Sequence, residues 1–221
     1  MENWMHRAAA FELLSLAFLP PNREVAEALV AGEFADACSE SLGGLGIDAP
    51  SRSETLGPLS EYERRDADAV YHELRCEHMH LFVGEREAAV TPYVGVWAAQ
   101  QRGQQGLLFV GKESVAIEHF MRDHGAVKNL AAGQSNDPMD HVGTICEFLK
   151  YLCLVNAKAV QAPEGIVVAE NDYDEFVQRH FIDYAIWCSS RVHELARIPF
   201  YESMALMLAA VCTAQPVGRG V

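Results

Sequence analysis

The sequence predicts an all-α protein, a single-domain bundle of roughly ten helices over residues 1–221. Three observations predict it. Apolar residues recur at helical spacing through most of the chain, as in Trp4, Ala8, Phe11, Leu14 and Phe18. Stop and start signals fall between those stretches, among them Pro20-Pro21, Gly125, Asp137-Pro138 and Pro199. Half of the residues are hydrophobic, which is enough for a sizeable core without disulfide or metal staples.

The spacing predicts a first helix over 3–19, stopped by Pro20-Pro21, then two short amphipathic helices over 22–31 and 33–42. The stretch 43–59 is rich in Gly, Ser and Pro and reads as a loop, a candidate hinge for helix exchange between protomers. Ser60-Glu61-Tyr62-Glu63 has the form of a capping box, opening a helix to about His80. Residues 81–91 form a linker carrying Gly84, and Thr91-Pro92 starts a short helix through Trp97. Leu-Leu-Phe-Val at 107–110 reads as a buried loop or a turn of helix. Residues 114–124 are helical, with Gly125 suited to the C-terminal cap. The longest helix runs from Pro138 to about Val160, with Val142, Ile145, Leu149, Leu152 and Val155 on one face. Another covers 170–195 with Tyr173, Phe176, His180, Tyr184 and Trp187 in line, and Pro199 opens a last one to about Thr213.

Charge and composition narrow the function. There are 17 Lys and Arg against 31 Asp and Glu, a formal net charge of -14. Nucleic-acid binding needs a basic face, so neither DNA nor RNA is expected as a partner. An acidic surface favours a basic partner. The six cysteines form no C-x-x-C and mostly sit in apolar helical patterns, the look of buried thiols in a reducing compartment. No signal-peptide pattern opens the chain and no apolar run is long enough to span a bilayer, so a cytoplasmic location without membrane insertion is expected. No nucleophile elbow, P-loop or dinucleotide-binding glycine pattern occurs, and no motif asks for a cofactor.

The most polar helix start is Asp137-Pro138-Met139-Asp140-His141. Asp137 suits the N-cap, Pro138 the first helical position, and Asp140 the third, where a carboxylate meets free amides and the helix dipole. Capping needs one acid, so the second acid and the imidazole mark a candidate site; the plainer reading is an elaborate cap. Two further segments stand out. Leu81-Phe82-Val83-Gly84 ends a helix, and either lines a groove or is core. Pro92-Tyr93-Val94-Gly95-Val96-Trp97 brings large faces with polar tips on a rigid turn, suiting either a peptide or the core. The histidines do not form a metal motif: His78-x-His80 would diverge on a helix, and no H-E-x-x-H occurs.

Taken in order, these three segments resemble the TorD/DmsD family of cytoplasmic chaperones for molybdenum-cofactor oxidoreductases. That family's pattern has Leu-Phe-x-Gly, then Pro-aromatic-x-Ser-x-aromatic, then Pro-x-Asp-His opening a long helix. Here they read Leu81-Phe82-Val83-Gly84, Pro92-Tyr93-Val94-Gly95-Val96-Trp97 and Pro138-Met139-Asp140-His141. Phe176-x-x-x-His180 and Phe200-Tyr201 resemble the family's late helices, and the match spans roughly 77–208. Two departures bear on ligand preference: Gly95 replaces the usual Ser, and His78 and His80 stand where Tyr and Arg are frequent.

The resemblance implies a chaperone, not an enzyme. Its partner would be the precursor of a DMSO/TMAO-reductase-type molybdoenzyme, bound through its twin-arginine signal peptide, its apo form or both until the cofactor is inserted. The implied client site comprises Leu81, Phe82, Tyr93, Trp97, Pro138, Asp140, His141 and Glu147, with no metal or cofactor. Asp140 is expected at an acidic rim, pairing with a basic client residue, with His141 tuning it and Glu147 extending the rim. Monomer and homodimer both fit. The alternatives are a helical metal-dependent hydrolase, requiring several of His72, His78, Asp140, His141 and His180 to converge, and a small-ligand regulator with a DNA-binding head. The acidic balance counts against the latter.

Overall fold

In a computed structural model, residues 2–84, 88–104, 111–126 and 138–214 are described. Among them the protein is all-α, and the one β-type contact is an isolated antiparallel bridge. The helices are α1 (Glu2–Phe18), α2 (Arg23–Ala31), α3 (Glu33–Gly44), α4 (Ala49–Leu56), α5 (Ala67–His78), α6 (Val94–Gln101), α7 (Lys112–Asp123), α8 (Val142–Asn156), α9 (Asp172–Phe176), α10 (Ile182–Leu195) and α11 (Pro199–Thr213).

Local chemistry sets most of the boundaries. Asn22 caps α2 by accepting from the Val25 amide at 2.9 Å. Asp48 does the same for α4 through the Ser51 amide, with Pro50 in the first turn. The expected loop and hinge over 43–59 is therefore mostly helical: α4 is followed by a 3₁₀ turn, Gly57–Tyr62, that buries Leu59 and Tyr62. The Ser60–Glu63 box does not open a helix. Asp66 caps α5 instead, accepting from Ala69 at 2.8 Å.

Two helices pass into π turns. At Met79–Val83 the Gly84 amide reaches back five residues to the Met79 carbonyl, and Gly84 exits at φ 66. At Val177–Phe181 the Ile182 amide bonds to Val177, so α9 and α10 continue as one run. The predicted helix over 170–195 is thus present with an inserted wide turn.

The core is one contiguous apolar cluster centred on α1 and α8, which pack along one another, with α3 and α11 also against α1. Phe11, Leu14 and Phe18 of α1 meet the layer containing Ile145, Leu149 and Leu152 of α8, all fully buried. Arg7 is buried with them: its guanidinium donates to the Tyr173 hydroxyl at 3.0 Å and to the Val211 carbonyl at 3.1 Å. That carbonyl lies in the last turn of α11, where the dipole favours a cation. No helix is long and apolar enough to cross a membrane among the described residues.

Candidate functional site

The second and third motifs meet backbone to backbone. The Val94 amide donates to the Asp140 carbonyl at 3.1 Å and the Val142 amide to the Pro92 carbonyl at 2.8 Å, forming the antiparallel bridge between Tyr93 and His141. Their rings stand edge to face with centroids 5.3 Å apart.

This pairing moves the start of the long helix. Pro138-Met139-Asp140 is a turn, closed by the His141 amide on the Pro138 carbonyl, and α8 begins at Val142. The N-cap is His141, whose Nδ1 accepts from the Gly143 amide at 3.1 Å. The expected roles of Pro138 at N1 and Asp140 at N3 are therefore corrected: the bridge to Tyr93 holds His141 extended, so the turn at 138–140 lies outside the helix. The expected cap, Asp137, lies outside the described residues, as does the 107–110 segment. The short helix expected over 91–97 is shifted likewise to Val94–Gln101.

Asp140 is not at a rim. Its side chain is 1% exposed, and Oδ2 accepts from the Gly95 amide at 2.8 Å and the Ser114 hydroxyl at 2.7 Å. One carboxylate thus ties α6 and α7 to the entry of α8. Its Oδ1 is buried without a hydrogen-bond partner among the described residues. The acid is held in place by α6, which starts beside it. Gly95 sits in the first turn of α6, and its free amide points at the acid.

Gly95 also explains Ser114. A Cβ built on Gly95 would lie 1.9 Å from Ser114 Oγ and 2.9 Å from Asp140 Oδ2. The Ser114 hydroxyl, from another helix, fills the space that a side chain at 95 would enter. The hydroxyl that Gly95 lacks, relative to the usual Ser, is supplied from α7. Ser114 was not a candidate from sequence; it reads only as a helix start, and nothing nearby signals a buried partner.

The first motif joins the same end of the bundle. Leu81 is fully buried and Phe82 nearly so, which makes them core and not the floor of an open groove. Phe82 packs edge-on against Phe18 and Tyr201 at 5.7 Å, and beside His78 at 5.2 Å. The Leu81 carbonyl accepts from the Val90 amide at 2.8 Å, and the Tyr184 hydroxyl donates to the Thr91 carbonyl at 2.9 Å. Next to Phe18, Leu19 packs on Gly143, where an added Cβ would lie 2.6 Å from Leu19 Cγ. The three motifs therefore converge around the C-terminal end of α1 and the start of α8.

Three of the expected site residues reach the surface. Tyr93 and Trp97 are half-buried and Glu147, on α8, is exposed. Trp97 stands edge-on to Tyr184 at 5.6 Å and beside Trp187 at 6.1 Å. Below it, Val94, Glu113, His180 and Tyr184 line a small cleft. Arg102 pairs with Glu113 through two parallel bonds of 2.7 and 2.8 Å, which hold that carboxyl below its ordinary range.

The histidines are dispersed. His72 faces Cys76, His78 faces the Phe18 carbonyl, and His180 packs on Phe120 and Phe176. Among the described residues no three His, Cys, Asp or Glu are grouped to hold a metal.

A family model described as the nitrate reductase delta subunit matches residues 48–187. No curated protein sequence matches significantly. Among solved structures, a candidate redox enzyme maturation protein from Archaeoglobus fulgidus is similar at 19% identity and a TM-score of 0.47, covering 91% of this chain and 91% of that chain.

Proposed function

The chain belongs to the nitrate reductase delta subunit family, and from that premise we propose how it serves its client. Membership carries the coarser role, a redox-enzyme maturation chaperone for a molybdoenzyme of the kind the TorD/DmsD resemblance implies. The finer reading is that it binds the precursor of a DMSO/TMAO-reductase-type catalytic subunit through a twin-arginine leader, by binding and not by turnover.

The observation that carries this reading is the convergence of the three motifs at one end of the bundle. Tyr93 and Trp97 supply half-exposed aromatic area, and Glu147 supplies exposed charge on the neighbouring helix. Asp140 and His141 position them: the bridge fixes the Tyr93 ring, and the carboxylate fixes the start of α6 that carries Trp97. Asp140 Oδ1 adds an acceptor to that end. Among the described residues no donor reaches that oxygen, and a donor from a basic client side chain would relieve the cost of burying it. Leu81, Phe82 and Pro138 hold the surrounding chain.

Calorimetry of a synthetic twin-arginine leader peptide against the purified protein tests the reading. The expected result is saturable binding that weakens when both peptide arginines become Gln and when Tyr93 or Trp97 becomes Ala. If no such leader binds while the chain still captures leaderless apoenzyme, recognition belongs to the enzyme body and the leader reading fails.

A further inference from the structure

A second surface lies along α1, outside the residues the family model matches. The C-terminal half of α1, α2 and the start of α3 enclose an open groove of about 250 Å³, walled by Leu13, Leu16, Val25, Ala28, Phe34 and Ala37. Leu16 is 36% exposed on its edge. Asn22, Glu24 and Glu33 complete the lining, the two acids each in the first turn of its helix, α2 or α3. The nearby cation Arg23 is engaged by Glu27 at 2.9 Å and Asp68 at 2.8 Å, so it does not cancel these two acids.

We propose that this groove docks the apolar stretch of a client peptide that carries basic residues beside that stretch. The inference rests on the reading above for the partner, and adds a second place of contact. Three properties select this occupant. The groove is smaller than the roughly 300–1,000 Å³ of a small-molecule cavity. Apart from its two acids the lining has one polar side chain, Asn22, which is taken up in capping α2 through the Val25 amide, so little is left to orient a cofactor. A second copy of the chain would bring the same acidic charge, -14 overall, against Glu24 and Glu33. Apolar side chains laid between helices, with cations meeting rim carboxylates, is the helix-in-groove mode of peptide recognition. Continuity supports it: the same helix end that forms one wall carries Phe18 and Leu19 into the hub at Phe82 and Gly143.

The probe is a synthetic peptide with two adjacent arginines followed by about ten apolar residues, titrated against the full chain. Ala28→Gln fills the groove and Leu16→Gln makes its edge polar; thermal unfolding run beside them checks that the fold is kept. Each is expected to weaken binding tenfold or more. The double change Glu24→Gln/Glu33→Gln should weaken it severalfold and flatten its salt dependence. If the peptide binds wild type, is weakened by Tyr93→Ala and binds the groove variants normally, the groove is overturned while the leader reading stands. Loss of a concentration-dependent dimer in Ala28→Gln, with peptide affinity unchanged, assigns the groove to a second copy and also overturns it. No binding to wild type removes both.

Discussion

Ser114 donates to the carboxylate of Asp140 at 2.7 Å from the position that a side chain on residue 95 would occupy. A hydroxyl supplied by α7 thus stands where one from α6 would have to go. The two positions form one unit, since either can carry the group but not both.

That unit predicts strong non-additivity. Gly95→Ser alone forces the Ser114 hydroxyl off the acid and should destabilise the fold. Ser114→Ala alone loses a hydrogen bond to a charged group, about 1.5–3 kcal/mol. Together they should recover most of the loss, with a coupling of about 0.5–3 kcal/mol in urea unfolding. Additive costs would show that the two sites do not share the space.

Asp140→Ala should cost stability first and binding second. It strands the Gly95 amide and the Ser114 hydroxyl in a buried place, an expected loss of about 2–5 kcal/mol from two charge-assisted bonds. Asp140→Asn keeps an acceptor and should lose less. The check is chemical unfolding of both variants; an Asp140→Ala protein as stable as wild type would mean the carboxylate is not a tie.

Phe82→Ala should cost about 3–5 kcal/mol, because the ring is buried among Phe18, His78 and Tyr201. Phe82→Leu, closer in volume, should cost about 1.5 kcal/mol or less. Peptide affinity measured on the folded fraction of Phe82→Leu should equal wild type. A selective affinity loss there would make Phe82 a contact after all.

Stability should fall on mild acidification. Burial holds His78 below its ordinary 6.5, partly offset by the Phe18 carbonyl, and burial does the same to His180, with Arg179 adding to it. The unfolded chain takes up these protons near pH 6.5 and the folded chain only lower. The stabilisation is therefore complete above about pH 6.5 and lost as pH drops below it toward the folded values. Urea midpoints from pH 7.5 to 5 should show this decline, and His78→Gln should make it shallower. A midpoint independent of pH in that range would refute it.

Thiol labelling should distinguish one cysteine from five. Cys76 is exposed, whereas Cys38, Cys146, Cys153, Cys188 and Cys212 are buried. Burial pushes the thiols of Cys38, Cys188 and Cys212 up to about 12, far from nucleophilic at neutral pH. A maleimide added to the native protein should modify Cys76 within minutes and the others only on unfolding. Rapid labelling of a second cysteine would contradict the packing.

Much of the fold was legible because it is local. Apolar spacing located α1, α2, α3, α7, α8 and α11 to within a few residues, since each buries one stripe on a shared core. The helix α4 was missed beneath its Gly, Ser and Pro content, although Asp48-Ala49-Pro50 carried a cap and a first-turn proline. The starts of α5 and α8 were misplaced for different reasons. Two acid-rich cap signals lie close together before α5, and the later one wins. Before α8 the decisive bonds come from residues 92–94, more than 40 positions away, and no local pattern announces them. The same distance hid the burial of Asp140 and the part played by Ser114, whose partners are close only after the chain has folded.

The wide turn at Val177–Phe181 has a consequence for how this sequence can vary. Each residue of an α-helix advances the phase by about 100°, and a five-residue closure winds by less per residue, so the turn takes up one extra residue and lets α10 follow α9 in phase. Excising one residue there would let the run wind regularly and would leave the faces beyond it in place. Excising one elsewhere in α10 before Tyr184 would instead swing Tyr184 away from the Thr91 carbonyl and Trp97 and turn Cys188 and Val192 out of the interior. Length is therefore free to vary by one residue at this turn and fixed beyond it.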